Sequence, residues 1–274
     1  MCLNEFCYKT CINKAFLIDD ELLKHSQEIV VKLHIKSSVG RPPVEFETGL
    51  NGIYYLLKTG IQWKALPNCF GSSSAVHRLL QKLRALNFFE FLWHKELQEY
   101  DASHGLDLEV QAGDCSHIKA PLGQEKTGKS PVDRRKIGTK RSIIVEQNGI
   151  AIGCALGGGN QHDSKLFEVS ARSIPTFLTQ PYYREMHLDS AYDSKSIRVI
   201  LFNLGYVPKI SKNRRRSKRA MPEKTEKKRW IVESAHSWMN RFRRLLVRFE
   251  KIASNYLSLM KFALAVTTFN KIRI

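Results

Sequence analysis

Residues 140–156 read "KRSIIVEQNGIAIGCAL": two runs of β-branched and small apolar residues separated by Gln147, Asn148 and Gly149. An Asn-Gly pair between two such runs is a strong short-range signal of a β-hairpin, because both residues tolerate the positive φ of a tight turn. The stretch therefore predicts two antiparallel strands in the second half of the chain.

Further elements are predicted on either side of this hairpin. "LEVQAGDCSHIKA" (108–120) alternates loosely and predicts a preceding strand. After the hairpin, a short helix is followed by a strand in "REMHLDS" (184–190), a helix that stops at Gly205, and a strand in "YVPKI" (206–210). An antiparallel meander followed by strand–helix alternation indicates an α/β domain with a mixed sheet flanked by helices.

The first hundred residues predict helices instead. "GRPPVEFETGLNGIYYLLKTG" (40–60) is interpreted as a proline-opened helix that stops at Gly60, and serines 72–74 are predicted to cap the next, basic helix. We place a boundary near residues 101–107, with a helical region over 1–105 and the α/β domain over 106–274. The helical pattern is compatible both with a DNA-binding helix-turn-helix and with an ordinary helical bundle.

The charge of the chain points to a polyanionic partner. The formal net charge is +18, and residues 209–251 (the basic segment) contain sixteen lysines and arginines against four glutamates. Such a surplus suits a polyanion, because lysine and arginine release counterions from phosphates, and it does not distinguish DNA from RNA, or nucleic acid from an anionic membrane. No apolar run is long enough for a membrane span, and the N-terminus lacks the apolar core of a secretory signal, so we expect a cytoplasmic protein.

The six cysteines do not predict a metal site. Cys2, Cys7 and Cys11 cluster near the N-terminus, and none of the six shows the paired spacing typical of zinc ligands. Reduced thiols are expected.

Three carboxylates are candidates for one divalent metal site. Asp114 falls in the first predicted strand, Asp189 at the end of the fourth, and Glu233 in a helix of the basic segment. Strand ends near the middle of a mixed sheet are where α/β folds gather their sites. Carboxylates that point into one crevice repel each other unless a cation binds between them, and Mg²⁺ prefers such oxygen ligands.

The helix that carries Glu233 leaves two interpretations open. Helical spacing predicts that Arg229, Glu233, His236 and Asn240 share the face opposite an apolar stripe that extends to Phe249. Glu233 would then be accessible as a metal ligand. The alternative is an ordinary Arg229–Glu233 pair at i,i+4, which contributes about 0.2–0.5 kcal/mol.

Other polar residues have competing interpretations. Asp193 is interpreted as the N-cap of the following helix, and Asp163 with His162 is expected either to cap a helix or to line the crevice. His162 and Asp193 are therefore candidates to support the metal ligands. The loop within residues 125–141, rich in lysine and arginine around Asp133, is either a solvated surface or a grip on a nucleic-acid backbone.

Four motifs, taken in order, resemble the DDE transposases of bacterial insertion sequences, most closely the insertion-sequence-five family. They are "DCSHIKA", "NQHDSKLFE", "LDSAYDS" and an Arg-x3-Glu pair formed by Arg229 and Glu233. The helical stretch around residues 40–71 is also similar to that family, and the resemblance covers nearly the whole chain from Phe16 onward. Asn240 stands where related proteins often have lysine, and Glu226 where they often have tyrosine.

The resemblance implies an RNase H-like catalytic domain in which Asp114, Asp189 and Glu233 bind two Mg²⁺ or Mn²⁺ ions. It implies hydrolysis at the ends of an element and attack of the freed 3′-OH groups on target DNA. The partners expected are double-stranded DNA, as terminal inverted repeats and target, and a second copy of the chain when the ends are synapsed. We expect DNA contacts from eight basic residues: Arg214, Arg215, Arg216, Lys218, Arg219, Arg229, Arg241 and Arg244.

Other functions compatible with the sequence are a non-catalytic DNA-binding regulator, an inactive copy of a transposase, and a nuclease of the same fold that does not join strands. The regulator would not need three converging carboxylates. The nuclease differs from a transposase only in the lack of a joined product.

Overall fold

The computed structural model describes residues 7–33, 43–131, 133–178, 184–211 and 230–273. Its internal contacts divide the chain into two compact units, one of Met1–Glu99 with Met239–Ile274 and one of Tyr100–Trp238. The C-terminal segment thus groups with the N-terminal helices, whereas residues 106–274 were predicted to form one domain.

The second unit contains one mixed sheet. In chain order its strands are β1 (Val110–Lys119), β2 (Gly128–Lys129), β3 (Ile137–Glu146), β4 (Ala151–Gly158), β5 (Arg184–Leu188) and β6 (Tyr206–Ile210). β3 pairs antiparallel with both β1 and β4, whereas β5 pairs parallel with β1 and with β6. The predicted meander and the two parallel strands after it are confirmed, and with them the RNase H-like mixed sheet.

Local turn chemistry forms the hairpin between β3 and β4. Gly149 has a φ of +77°, and the main chains of Glu146 and Ile150 close the turn with a 3.0 Å hydrogen bond. The Glu146 carboxylate also accepts the Ile150 N–H at 2.8 Å. β4 is buried along its whole length, because α6 (Asp163–Arg172) packs against this part of the sheet. A strand covered on both faces needs the continuous apolar run that the sequence shows.

The other unit consists of helices, and within the sheet unit α6 and a later helix, α7 (Lys195–Asn203), pack against the strands. Besides these two, the described helices are α1 (Cys7–Cys11), α2 (Asp20–Lys32), α3 (Phe46–Thr59), α4 (Ser73–Ala85), α5 (Phe88–His104), α8 (Trp230–Asn240), α9 (Arg243–Leu246) and α10 (Ala253–Ile272). The predicted cap of α4 is confirmed, since Ser72 accepts the Ala75 N–H. Gly60 ends α3 with a φ of +71°, as predicted.

Two helix predictions were wrong in detail. α3 does not begin at the prolines; it begins at Phe46, where the Glu45 carboxylate accepts the N–H groups of Glu47 and Thr48. The helix with Glu233 does not continue to Phe249, because α8 ends at Asn240 and extended backbone at Phe242 separates it from α9. The apolar stripe predicted across that break is therefore not a single helical face.

A buried carboxyl in the helical unit gives the protein a testable pH dependence. Glu96 on α5 is fully buried, lies 2.9 Å from Nδ1 of His25, and has its pKa raised by burial. A folded pKa above the unfolded value of 4.5 contributes stability at low pH, and that stability is lost as the pH rises through the folded pKa. We therefore expect the free energy of unfolding of the wild type, relative to Glu96→Gln, to fall as the pH rises above the unfolded pKa. Urea denaturation at a series of pH values from below 4.5 upward measures this fall, and a constant difference would contradict the prediction.

Candidate functional site

The strand register places Asp114 and Asp189 next to each other. β1 and β5 are parallel neighbours, with Ala112 paired to His187. Asp114 in β1 and Asp189, the residue after β5, each follow this pair by two residues. A Cβ added at Gly113 would meet Leu188 at 3.0 Å, which fits a continued register. Parallel neighbours are about 4.8 Å apart. Both aspartates are partly exposed, so their carboxylates are accessible.

Main-chain hydrogen bonds orient both carboxylates. Oδ1 of Asp114 accepts the N–H of Cys115 at 2.8 Å. Asp189 caps the short 3₁₀ turn of Ser190–Tyr192, where its Oδ1 accepts the N–H of Ala191. Each aspartate is thus bound to the backbone immediately after it, which limits the rotamers available to it.

Glu233 lies on the exposed side of α8, as predicted. His236, one helical turn later, is near enough to the main chain of Asp114 and to Arg141 of β3 for both to affect its pKa. α8 therefore lies near the strand that carries Asp114. Residues three apart on a helix are surface neighbours, so Glu233 belongs to the same region of the second unit as Asp114.

His236 corrects one prediction. It was expected on the accessible face with Glu233 and Asn240, but it is only 8% exposed, whereas those two residues are exposed. Burial, together with the Arg141 guanidinium, lowers the pKa of His236 to about 3, so its imidazole is neutral at ordinary pH. The buried face of α8 therefore includes His236.

The donor chemistry of this region suits a hard divalent cation. Three carboxylates offer oxygen ligands, which Mg²⁺ and Mn²⁺ prefer. Within the described residues no group of three or more His, Cys, Asp or Glu side chains is close enough to hold a metal ion. The parallel register of β1 and β5 supports Asp114 and Asp189 as a pair. The approach of Glu233 to these two aspartates stays a prediction.

The residues expected to support the ligands make other contacts. His162 caps α6, where its Nδ1 accepts the Ser164 N–H at 3.3 Å and lies 2.7 Å from the Ser164 hydroxyl. Asp163 pairs with Lys140 at 2.6 Å. Asp193 was wrongly interpreted as the cap of α7: Ser194 caps that helix, while Asp193 pairs with Arg198 at 2.9 Å.

Most of the predicted DNA contacts lie outside the described residues. Arg214, Arg215, Arg216, Lys218, Arg219 and Arg229 fall within 212–229. Arg241 is exposed, as a DNA contact requires. Arg244 has to be withdrawn from this set, because it is 4% exposed and its guanidinium already binds Glu250 and the carbonyl of Ile61.

The loop between β1 and β3 has a backbone feature that the sequence did not indicate. Lys126, Arg134 and Arg135 have φ values of 47°, 46° and 58°, and the two arginines are exposed. Non-glycine residues adopt this left-handed region uncommonly.

Within the described residues, no helix is long and apolar enough to cross a membrane.

Two family models match the chain. The family model described as "Transposase DDE domain" matches residues 106–267, and that described as "Putative transposase of IS4/5 family" matches residues 25–93. The range matched by the DDE-domain model contains Asp114, Asp189 and Glu233. The range matched by the IS4/5 model contains the helices α3 and α4.

Individual proteins are similar to parts of the chain. The "Putative transposase for insertion sequence element IS402" of Burkholderia cepacia is 32% identical over 158 residues, 55% of this chain and 72% of that protein. An "Insertion element IS402 uncharacterized 16.2 kDa protein" of the same organism is 32% identical over 42% of this chain and 81% of its own length. Among solved structures, the catalytic domain of Mos1 mariner transposase has a TM-score of 0.30 at 9% identity, covering 71% of this chain and 94% of that one. The family model that covers more than half of the chain and the IS402 relative together show that the chain belongs to the DDE transposase family of bacterial insertion sequences.

Proposed function

We propose that this transposase cleaves DNA strands at the ends of an insertion sequence and joins the freed 3′ ends to target DNA in a reaction that requires divalent metal. The observation that carries the proposal is the parallel register of β1 and β5, which supports Asp114 and Asp189 as adjacent carboxylates. Neighbouring carboxylates repel unless a cation offsets their charge.

Asp114, Asp189 and Glu233 would hold two Mg²⁺ or Mn²⁺ ions, which suit an all-oxygen ligand set. When bound, a pair of such ions stabilises the attacking and leaving oxygens of an in-line displacement at phosphorus. The protein's own residues orient the carboxylates through the N–H groups of Cys115 and Ala191. Hydrolysis and strand joining are both in-line displacements, so the same ligands serve both steps.

The DNA partners proposed are the terminal inverted repeats and the target duplex, bound by a homo-oligomer when two ends are synapsed. The net charge of +18 supports a polyanionic partner, and we place the protein in the bacterial cytoplasm on nucleoid DNA. Phosphate contacts are proposed for Arg241, which lies in the described part of the basic segment. They are also proposed for residues outside that part: 214–216, 218, 219 and 229.

The decisive experiment incubates the protein with its flanking DNA ends and Mg²⁺ and scores both nicked and joined products. Metal-dependent nicking followed by joining is expected. Nicking without joining would indicate a nuclease, and DNA binding without either product would indicate a regulator or an inactive copy.

Salt dependence tests which basic residues contact phosphate. Each phosphate contact contributes about 0.9 to the slope of log K against log salt. We expect Arg134→Ala combined with Arg135→Ala to reduce the slope by about 2, and neutralising Arg214, Arg215 and Arg216 to reduce it by about 3. Fluorescence anisotropy measures both slopes. The salt concentration is varied from about 50 to about 200 mM, a range over which binding through several phosphate contacts weakens strongly.

The matched control is Arg172→Ala, which removes an exposed arginine that pairs with Glu168 on α6. Its slope should equal that of the wild type. An unchanged slope in either multiple variant would remove those arginines from the proposed DNA surface.

A further inference from the structure

We propose that a cationic surface on the helical unit binds the phosphates of duplex DNA. The surface consists of Lys58, Lys64, Arg78, Arg241 and Arg243. Among these five residues, only Arg241 was expected from the sequence to contact DNA. The partner is the DNA of the proposed function, on which this inference rests.

The end of α3 lies against the start of α9. A Cβ added at Gly60, the residue that ends α3, would meet the Cβ of Arg243 at 3.0 Å. The ammonium of Lys58, in the last turn of α3, lies 5.3 Å from the ring centre of Phe242. The neighbours of Phe242 in the chain are Arg241 and Arg243, and both are exposed. Cations from distant parts of the sequence thus lie in one region of the helical unit.

A short 3₁₀ turn and α4 extend this region. The guanidinium of Arg244, at the start of α9, lies 6.0 Å from the ring centre of Trp63 in the turn. The same ring contacts that of His77 on α4 edge-on, with 4.7 Å between centroids. Lys64 and Arg78 are the next residues in the chain after these two rings, and both are exposed.

The stretches of sequence that supply these cations contain no acidic residue. Neither Asp nor Glu occurs in residues 48–89 or in residues 234–249, although the chain has 26 of them among its 274 residues. The absence of carboxylates over both stretches leaves a surface of one sign of charge. Such a surface attracts polyanions.

Four cations of the surface form no ion pair with any described residue: Lys58, Lys64, Arg78 and Arg243. Other exposed cations of the same unit do form such pairs. Lys9 pairs with Glu47 at 2.8 Å, and Arg273 pairs with Asp19. The cationic surface therefore differs from the rest of the unit in its pairing as well as in its composition.

Lys58 distinguishes a binding surface from a merely solvated one. Its side chain is half-buried, and its ammonium lies 5.9 Å from the ring centre of Tyr54 and 5.3 Å from that of Phe242. Burial and the nearby guanidinium of Arg241 lower the pKa of Lys58. Like charges held close together are unfavourable, and a bound anion offsets that repulsion.

The arrangement suits a row of phosphates better than a single anion. Its cations are spread over α3, the 3₁₀ turn, α4 and α9 and are not gathered around one point. α3 and α4 are joined by residues 60–72, a longer connection than the turn of about three or four residues in a helix-turn-helix. We therefore assign the surface to the DNA backbone, which positions a duplex without reading its sequence.

The test measures binding of a fluorescent duplex to the intact protein without metal, from about 50 to about 200 mM salt. Lys64→Gln combined with Arg78→Gln should reduce the slope of log K against log salt by about 2. Lys58→Gln combined with Arg243→Gln should reduce it by the same amount. Over this range of salt, the loss of affinity in each double variant should be about tenfold smaller than in the wild type.

The matched control is Lys9→Gln combined with Arg273→Gln. It also removes one lysine and one arginine from the helical unit, but both are paired with carboxylates. Its slope should equal that of the wild type. A slope reduced as much in this control as in the test variants, or an unchanged slope in the Lys64 and Arg78 variant, would overturn the surface.

A conservative change at Lys58 separates the loss of charge from a disturbance of packing. Lys58→Arg keeps the cation beside Phe242 and should retain the wild-type slope. A slope reduced by Lys58→Arg as much as by the double variant would remove Lys58 from the surface. The exposed pair Lys64 and Arg78 tests the surface even if changes at Lys58 prevent folding.

The choice of nucleic acid shows what the surface recognises. Phosphate contacts weaken binding equally for all sequences, so the double variants should lose the same fraction of affinity for the element's end and for a scrambled duplex. A loss confined to the element's end would overturn the assignment to phosphates. An RNA duplex and vesicles with phosphatidylserine are the other polyanions tested. If the variants weaken binding to either of these but not to DNA, the proposed partner is wrong.

Strand cleavage by the wild type separates this inference from the proposed function. If the wild type cleaves and joins DNA while the double variants keep the wild-type slope, only the cationic surface fails. If no metal-dependent product forms while the double variants reduce the slope, the cationic surface stands and the proposed function fails.

Discussion

Asp114→Asn and Asp189→Asn are each expected to reduce cleavage at the element's ends about a thousandfold while leaving DNA binding nearly unchanged. Asparagine keeps the shape of aspartate but removes the charge that holds a divalent cation. The stabilisation that bound metal gives the transition state is several kcal/mol, and about 4 kcal/mol corresponds to a thousandfold in rate. Single-turnover cleavage of an end-labelled duplex measures the rate, and anisotropy with the same duplex measures binding.

The matched control for these variants is Asp107→Asn. Asp107 is a partly buried aspartate near the other end of β1, where its carboxylate accepts hydrogen bonds from the Glu109 N–H and the Gln147 amide. It should cleave at the wild-type rate. Glu233→Gln should behave as the two aspartate variants do, and full activity in any of the three would remove that residue from the proposed metal site.

The strands were predictable because their signals are local. Asn148 and Gly149 fix a hairpin by turn chemistry alone, and the apolar runs on either side need no distant partner to be recognised. The adjacency of Asp114 and Asp189 is different in kind. It depends on a parallel register between two strands separated by residues 120–183, and the local signals of the two strands do not set that register.

Side-chain burial in the basic segment was the least predictable feature. Arg244 and His236 are polar residues in a highly charged stretch, and helical periodicity placed His236 on the accessible face. Tertiary packing overrides that pattern. His236 lies on the buried face of α8, and Arg244, beyond the end of α8 at Asn240, binds Glu250 and Ile61 from outside its own helix. A sequence gives no signal for a partner that lies 183 residues away.

Breaking the buried pair of Arg244 and Glu250 is expected to destabilise the protein by about 3–5 kcal/mol. Nε and Nη2 of Arg244 bind one carboxylate oxygen of Glu250 at 2.8 and 2.6 Å, and Nη1 donates to the Ile61 carbonyl at 2.9 Å. Arg244→Met would leave the Glu250 carboxylate buried without a cation and the Ile61 carbonyl without this donor. Urea denaturation followed by far-ultraviolet circular dichroism measures the loss.

Two comparisons separate this structural role from a contact with DNA. Arg244→Met combined with Glu250→Leu should recover most of the lost stability, because apolar side chains of similar volume often replace a buried ion pair without loss. Arg172→Met, which breaks an exposed pair with Glu168, should cost no more than about 1 kcal/mol. Since the Arg244 guanidinium is already bound within the protein, the salt slope of DNA binding should not change in the folded double variant. A stable Arg244→Met protein with a slope reduced by about 1 would instead return Arg244 to the DNA-contacting set.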